Sequence, residues 1–243
     1  MILCLSTERS RAVTLNSLPS VCPVSLWYGG YSVFEVDEGS KDSQVGDIID
    51  FVIDSQMNFH LVDSEKSRLL KWTYRNSYSS LKVLLDKSGT SDSGSYGLKN
   101  PQGLFVDKED NLFICDRGNH RILKRTPTGY VTTVGQDIYC EHIFVDDNTG
   151  DIYVNSLYDD AIFRFSAGSL DGARVAGDEH RGNSSSQLYQ PAGIFVDRYG
   201  SLFICDYGNR RVQKWTKGAT EGTTISPSGP RFFGPGPGPG PAQ

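Results

Sequence analysis

One phrase recurs along this chain, and recurrence at a fixed period narrows the possible folds more than any single motif. Gly103-Leu104-Phe105-Val106-Asp107 is followed by Asn111-Leu112-Phe113-Ile114-Cys115-Asp116 and then Arg117-Gly118-Asn119-His120-Arg121-Ile122. The same order returns as Gly193-Ile194-Phe195-Val196-Asp197, Ser201-Leu202-Phe203-Ile204-Cys205-Asp206 and Tyr207-Gly208-Asn209-Arg210-Arg211-Val212. A third copy lies between them, from His142-Ile143-Phe144-Val145-Asp146 through Asp151-Ile152-Tyr153-Val154-Asn155 to Ala161-Ile162-Phe163-Arg164-Phe165. A worn fourth copy precedes all three, with Asp50-Phe51-Val52-Ile53-Asp54, Asn58-Phe59-His60-Leu61-Val62-Asp63 and Arg68-Leu69-Leu70-Lys71-Trp72. The aspartates Asp54, Asp107, Asp146 and Asp197 stand 53, 39 and 51 residues apart. An interval of about 40–50 residues suits one four-stranded propeller blade.

Each copy holds three short runs rich in Val, Ile, Phe and Tyr, parted by Gly, Asn and Asp turn chemistry, which is the pattern of strands and tight turns. The first run is almost continuously apolar, as an innermost strand buried on both faces must be. A fourth, more polar run closes each copy: 81–85, 130–134, 173–176 and 223–225. These suit outer edge strands. The expectation is an all-β chain, a β-propeller of four-stranded blades.

These residues resemble the NHL repeat family. Pro101 and Pro191, Gly103 and Gly193, Asp116 and Asp206, Asn119 and Asn209, and Arg121 and Arg211 fall on its pattern. The first and third copies depart from it: Ile48 and Asp50, then Cys140 and His142, replace Pro and Gly, and Ser156 and Ala161 replace the loop aspartate and arginine. The resemblance implies a ring usually of six blades. Four full NHL-type blades over 45–225 and a partial one read as an incomplete six-bladed ring. Within the segment 1–44, residues 24–36 read as two outer strands around Gly29-Gly30. The tail, 226–243, contains a Gly-Pro run over 234–241 without a collagen period and is expected to be disordered.

The D-x-G-N-x-R loops carry charge on a tight turn, yet they recur in two blades, which fits a framework role better than catalysis. Their Gly and Asn are expected to supply positive φ. The five cysteines Cys4, Cys22, Cys115, Cys140 and Cys205 form no C-x-x-C pair. Cys115 and Cys205, at equivalent positions in non-adjacent repeats, read as free, small hydrophobes rather than a mutual disulfide. Of the histidines His60, His120, His142 and His180, His142 alone opens an innermost strand. A catalytic zinc needs three converging protein ligands, so neither a metal nor another cofactor is assigned, and no catalytic residue. Asn183-Ser184-Ser185 has the pattern of a glycosylation acceptor, which matters only for an exported protein.

A net charge of −5 argues against a binder that depends on neutralising phosphates. No apolar run is long enough for a membrane-spanning helix, and the apolar stretch Ile2–Leu5 is too short for a secretory signal. The compartment is not legible.

Family resemblance places a docking face on the loops between second and third strands and on the segments leading into each innermost strand. Here that face carries Arg117, His120, Glu141, His142, Tyr158, Asp159, Tyr207 and Arg210. The leading expectation is a non-catalytic scaffold binding a protein or peptide there, with self-association as a second way to complete the ring. A metal-dependent propeller enzyme of the lyase or lactonase type and an RNA-binding module are the competing readings.

Overall fold

The computed structural model describes residues 45–75, 78–88 and 96–225. The proposed outer strands at 24–36, the remainder of 1–44 and the tail 226–243 lie outside the described residues. Among the described residues sixteen strands form four antiparallel four-stranded sheets, each taken in sequence order. The first blade comprises β1 (Ile48–Ile53), β2 (Phe59–Asp63), β3 (Arg68–Arg75) and β4 (Tyr78–Leu85). The second comprises β5 (Leu104–Val106), β6 (Leu112–Asp116), β7 (Arg121–Arg125) and β8 (Val131–Gln136). In the third are β9 (Ile143–Val145), β10 (Ile152–Ser156), β11 (Ala161–Phe165) and β12 (Gly172–Ala176), and in the fourth β13 (Pro191–Val196), β14 (Leu202–Asp206), β15 (Arg211–Trp215) and β16 (Thr223–Thr224). The four copies of the phrase are the four blades.

Side chains alternate across a strand, and the second strand of a central blade shows what that alternation does. Leu112 and Ile114 face the first blade, joining Val62, Leu69, Leu85 and Leu104 in one buried cluster. Phe113 and Cys115 face the third, with Ile143, Val154 and Phe165. A third cluster joins the third and fourth blades through Tyr153, Ile162, Leu188, Ile204 and Trp215. It is the second strands of the central blades, β6 and β10, that are buried throughout. The innermost strands, expected from their apolar runs to be buried on both faces, are only partly buried, because they form the inner edge of each sheet.

The repeat-opening aspartates fix the first turn of each blade. Asp54 Oδ1 accepts the amides of Gln56 and Asn58, Asp107 Oδ1 those of Glu109 and Asn111, and Asp197 Oδ1 those of Tyr199 and Ser201. In the third blade Asp146 Oδ1 accepts the amide of Asn148, two residues on. This is the Asx-turn, a side chain standing in for a backbone acceptor. At Asp197 the Ser201 amide is the main cause of a carboxyl held below its ordinary value.

Two sequence expectations are corrected here. In the D-x-G-N-x-R loops positive φ falls on His120 (54°) and Arg210 (55°), not on the Gly or Asn. The glycines are required by close approach: a Cβ on Gly118 would lie 2.5 Å from the Lys99 carbonyl oxygen. Cys115 is free and buried as expected, but Cys205 is disulfide-bonded. Cys205 occupies the position equivalent to Cys115 on the last described blade and is equally buried, at 1% exposure.

Candidate docking face

The loops between second and third strands, and the segments leading into the innermost strands, meet at one end of the propeller. A buried carboxylate organises each of three blades there. Asp116 accepts the Lys99 amide (2.8 Å), Asn119 Nδ2 (2.9 Å) and Arg121 Nε (2.7 Å). Asp206 repeats this with the Tyr189 amide (2.8 Å), Asn209 Nδ2 (2.8 Å) and Arg211 Nε (2.7 Å). In the worn first copy Asp63 takes the Gly46 and Lys66 amides and Arg68 Nη2 (2.6 Å). Charge-assisted bonds of this kind suit a carboxylate removed from water, and they leave these groups no freedom to react.

The third blade departs from that frame. Ser156 Oγ donates to Asp159 Oδ2 (2.6 Å), so Asp159 shapes its own loop. Asn155, fully buried, accepts the His142 amide through Oδ1 and donates through Nδ2 to the Pro191 carbonyl. It ties the start of the third blade to the start of the fourth. Sequence reasoning missed Asn155; its signal is a polar residue where the sister strands carry Cys115 and Cys205.

Of the expected face residues, Arg117 and Glu141 are brought together. Arg117 Nε lies 2.6 Å from Glu141 Oε1, joining the second blade to the third. Burial raises the Glu141 carboxyl, and Arg117 opposes that rise. His142 is exposed to solvent, and desolvation by the surrounding protein lowers its imidazole pKa. Among the described residues no three His, Cys, Asp or Glu side chains gather where a metal ion could sit.

His120 and Tyr158 join one row of rings through a residue the sequence reading overlooked. The His120 and Tyr139 centroids are 4.0 Å apart, and Tyr139 stacks on Tyr158 at 5.1 Å. Tyr158 is 77% exposed and Tyr139 36%. Tyr139 was overlooked because its role depends on two blades meeting, not on its neighbours in sequence. Tyr207, 41% exposed, and Arg210 stand on the same face of the fourth blade, with no ring contact or ion pair to the first group.

Comparison with known proteins bears on the architecture. The family model described as the NHL repeat matches residues 98–124, which run from the lead-in of the second blade through most of β7. No curated protein matches the chain in sequence. Among solved structures it is similar to virginiamycin B lyase from Staphylococcus aureus with quinupristin, at 13% identity and a TM-score of 0.53, over 75% of this chain and 56% of that one. An auxiliary nutrient binding protein from Bacteroides ovatus matches at 14% identity and a TM-score of 0.57, over 74% of this chain and 47% of that one. A chain of a nidogen/laminin complex matches at 16% identity and a TM-score of 0.55, over 70% of this chain and 60% of that one. The matches thus span roughly half of the lyase and nutrient-binding chains. Identities this low speak to fold alone. Residues 98–124 match the NHL repeat, and the described residues form an arc of four four-stranded antiparallel blades, a β-propeller fold.

Proposed function

We propose that this chain is a non-catalytic scaffold that binds a protein or peptide across the face bearing Arg117, His120, Glu141, His142, Tyr158, Asp159, Tyr207 and Arg210. The observation that carries the reading is the division of labour on that face. Asp63, Asp116 and Asp206 are buried and spent on holding loops, while Tyr139, Tyr158 and Tyr207 project large rings into solvent. Rigid loops presenting exposed aromatic residues are how repeat scaffolds recognise partners, and Tyr and Arg are enriched among the residues that dominate binding energy. Two of the similar folds are those of an auxiliary nutrient binding protein and of a chain in a nidogen/laminin complex, which supports the same reading.

The test is affinity capture with the purified chain as bait, beside the triple variant Tyr158→Ala, Tyr207→Ala, Arg210→Ala. All three residues are exposed, so the variant should keep its circular dichroism and melting temperature. Its captured partners should fall at least about tenfold, the effect of losing one residue worth more than about 1.4 kcal/mol. Unchanged capture by the triple variant would place the docking surface elsewhere.

A further inference from the structure

The row His120–Tyr139–Tyr158 is built from three separate segments: the second blade's loop, the third blade's lead-in and the third blade's own loop. Leu157, the residue before Tyr158, is also exposed, at 40%. Rows of exposed aromatic rings suit proline-rich segments, because an extended polyproline helix is already ordered and its flat pyrrolidine rings lie against aromatic faces.

The chain carries a segment of that chemistry. Gly234-Pro235-Gly236-Pro237-Gly238-Pro239-Gly240-Pro241 has no charged side chain and asks nothing of its site but apolar contact and carbonyl acceptors. Its point of departure is fixed by strand direction. In the fourth blade β14 runs toward the docking face and β15 runs away from it. Being antiparallel to β15, β16 runs back toward that face, pairing Lys214 with Thr223 and Gln213 with Thr224. The Ile225 amide then bonds the Val212 carbonyl. The chain therefore leaves the fold on the face that bears the aromatic row, beside Arg210.

The reach is sufficient. Three strand spacings of about 4.8 Å separate outer from inner strand, and blades pack about 10 Å apart, so the gap between second and third blades lies on the order of 30 Å from residue 225. Residues 226–237 can span up to about 40 Å at roughly 3.3 Å per residue, more than that gap, so the later Gly-Pro pairs, Gly238 to Pro241, can reach the row.

We propose that the His120–Tyr139–Tyr158 row is a proline-segment site and that the chain's own Gly-Pro run occupies it. This inference rests on the docking-face reading above and gives it an internal competitor: a partner binding there must displace the run. The run acts in cis at a high effective concentration.

The test uses the full chain and a fluorescently labelled octapeptide of four Gly-Pro pairs, followed by anisotropy. Three proteins are compared: wild type, a run variant with Pro235→Ser, Pro237→Ser, Pro239→Ser and Pro241→Ser, and the run variant carrying Tyr158→Ala as well. The run variant should bind the peptide at least about tenfold more tightly than wild type, because its own competitor is gone. Adding Tyr158→Ala should remove that gain. Equal binding by wild type and run variant would overturn the proposal, as would binding indifferent to Tyr158. If the peptide fails while the triple variant still loses partner capture, the docking face stands and this occupant falls. If both fail, the face falls with it.

Discussion

At the scale of single residues, Asp50 shows what a departure from the repeat pattern costs. It stands where the second and fourth copies have Gly103 and Gly193. A Cβ on Gly103 would lie 2.5 Å from the Glu141 carbonyl oxygen, so at that blade junction only glycine fits. At the first junction the side chain is accommodated, and Asp50 accepts the amides of Leu104 and Phe51 (2.8 Å each). Burial nevertheless pushes its carboxyl from 3.8 up to about 6, the two amides only partly opposing the rise. A carboxyl that holds its proton more tightly when folded favours the fold in its protonated form. Its contribution is complete below the unfolded value near 3.8 and is lost as pH rises through about 6. Asp50→Asn mimics the protonated group at every pH. The stability of the variant relative to wild type should therefore grow between pH 4 and pH 7, by about 1–3 kcal/mol. Paired denaturant titrations at those two pH values measure it, and a difference that does not change with pH would remove Asp50 from the account. The substitution itself was plain in the sequence. Its titration was not, because that depends on an amide contributed by the next blade.

At the scale of elements, the loop clamps explain why some copies kept their pattern and one drifted. Arg211 binds Asp206 and also reaches the carbonyls of Asn183, Ser184 and Gln187, all at 2.8 Å. One guanidinium thus orders the long connection between the third and fourth blades. The third blade, with Ser156 and Ala161 in place of the pair, closes its loop by the short Ser156–Asp159 contact and leans on Asn155 instead. Arg211→Ala should loosen residues 182–188 far more than the rest of the chain, at a cost of about 3 kcal/mol for stripping a buried carboxylate of its cation. Hydrogen exchange is the direct measurement: the Gly182 amide, bonded to the Leu188 carbonyl, should exchange faster, with the Asp116–Arg121 region of the second blade unaffected. Equal acceleration in both regions would mean the clamp is not local. The strands and their Asp-headed turns were legible because each is decided within a few residues. The His120–Tyr139–Tyr158 row and the Asn155 bridge were not, since each joins residues that only the stacking of blades brings together.

At the scale of the whole molecule, the arc is a one-dimensional stack in which each blade draws its buried surface from its neighbours. Three clusters hold it, one per junction, and each is populated by alternate residues of the same strands. The inner-strand rings Phe105, Phe144 and Phe195 continue the stack edge to face across successive blades, at 5.4 and 5.5 Å. Phe195 ends that series 43% exposed. Such a stack should fail junction by junction rather than all at once. Trp215 offers the sharpest test: it is 1% exposed, and it packs with Leu188, Ile204 and Tyr153 at the junction between third and fourth blades. Trp215→Ala should cost about 3–5 kcal/mol at that junction. Exchange should rise across β13, β14 and β15 while β5, β6 and β7 keep their protection, because the first junction shares no residue with the last. Uniform loss of protection would instead show four blades behaving as a single cooperative body. Independent blades would in that case be the wrong physical description of this arc, and the docking face would have to be treated as one unit with its core.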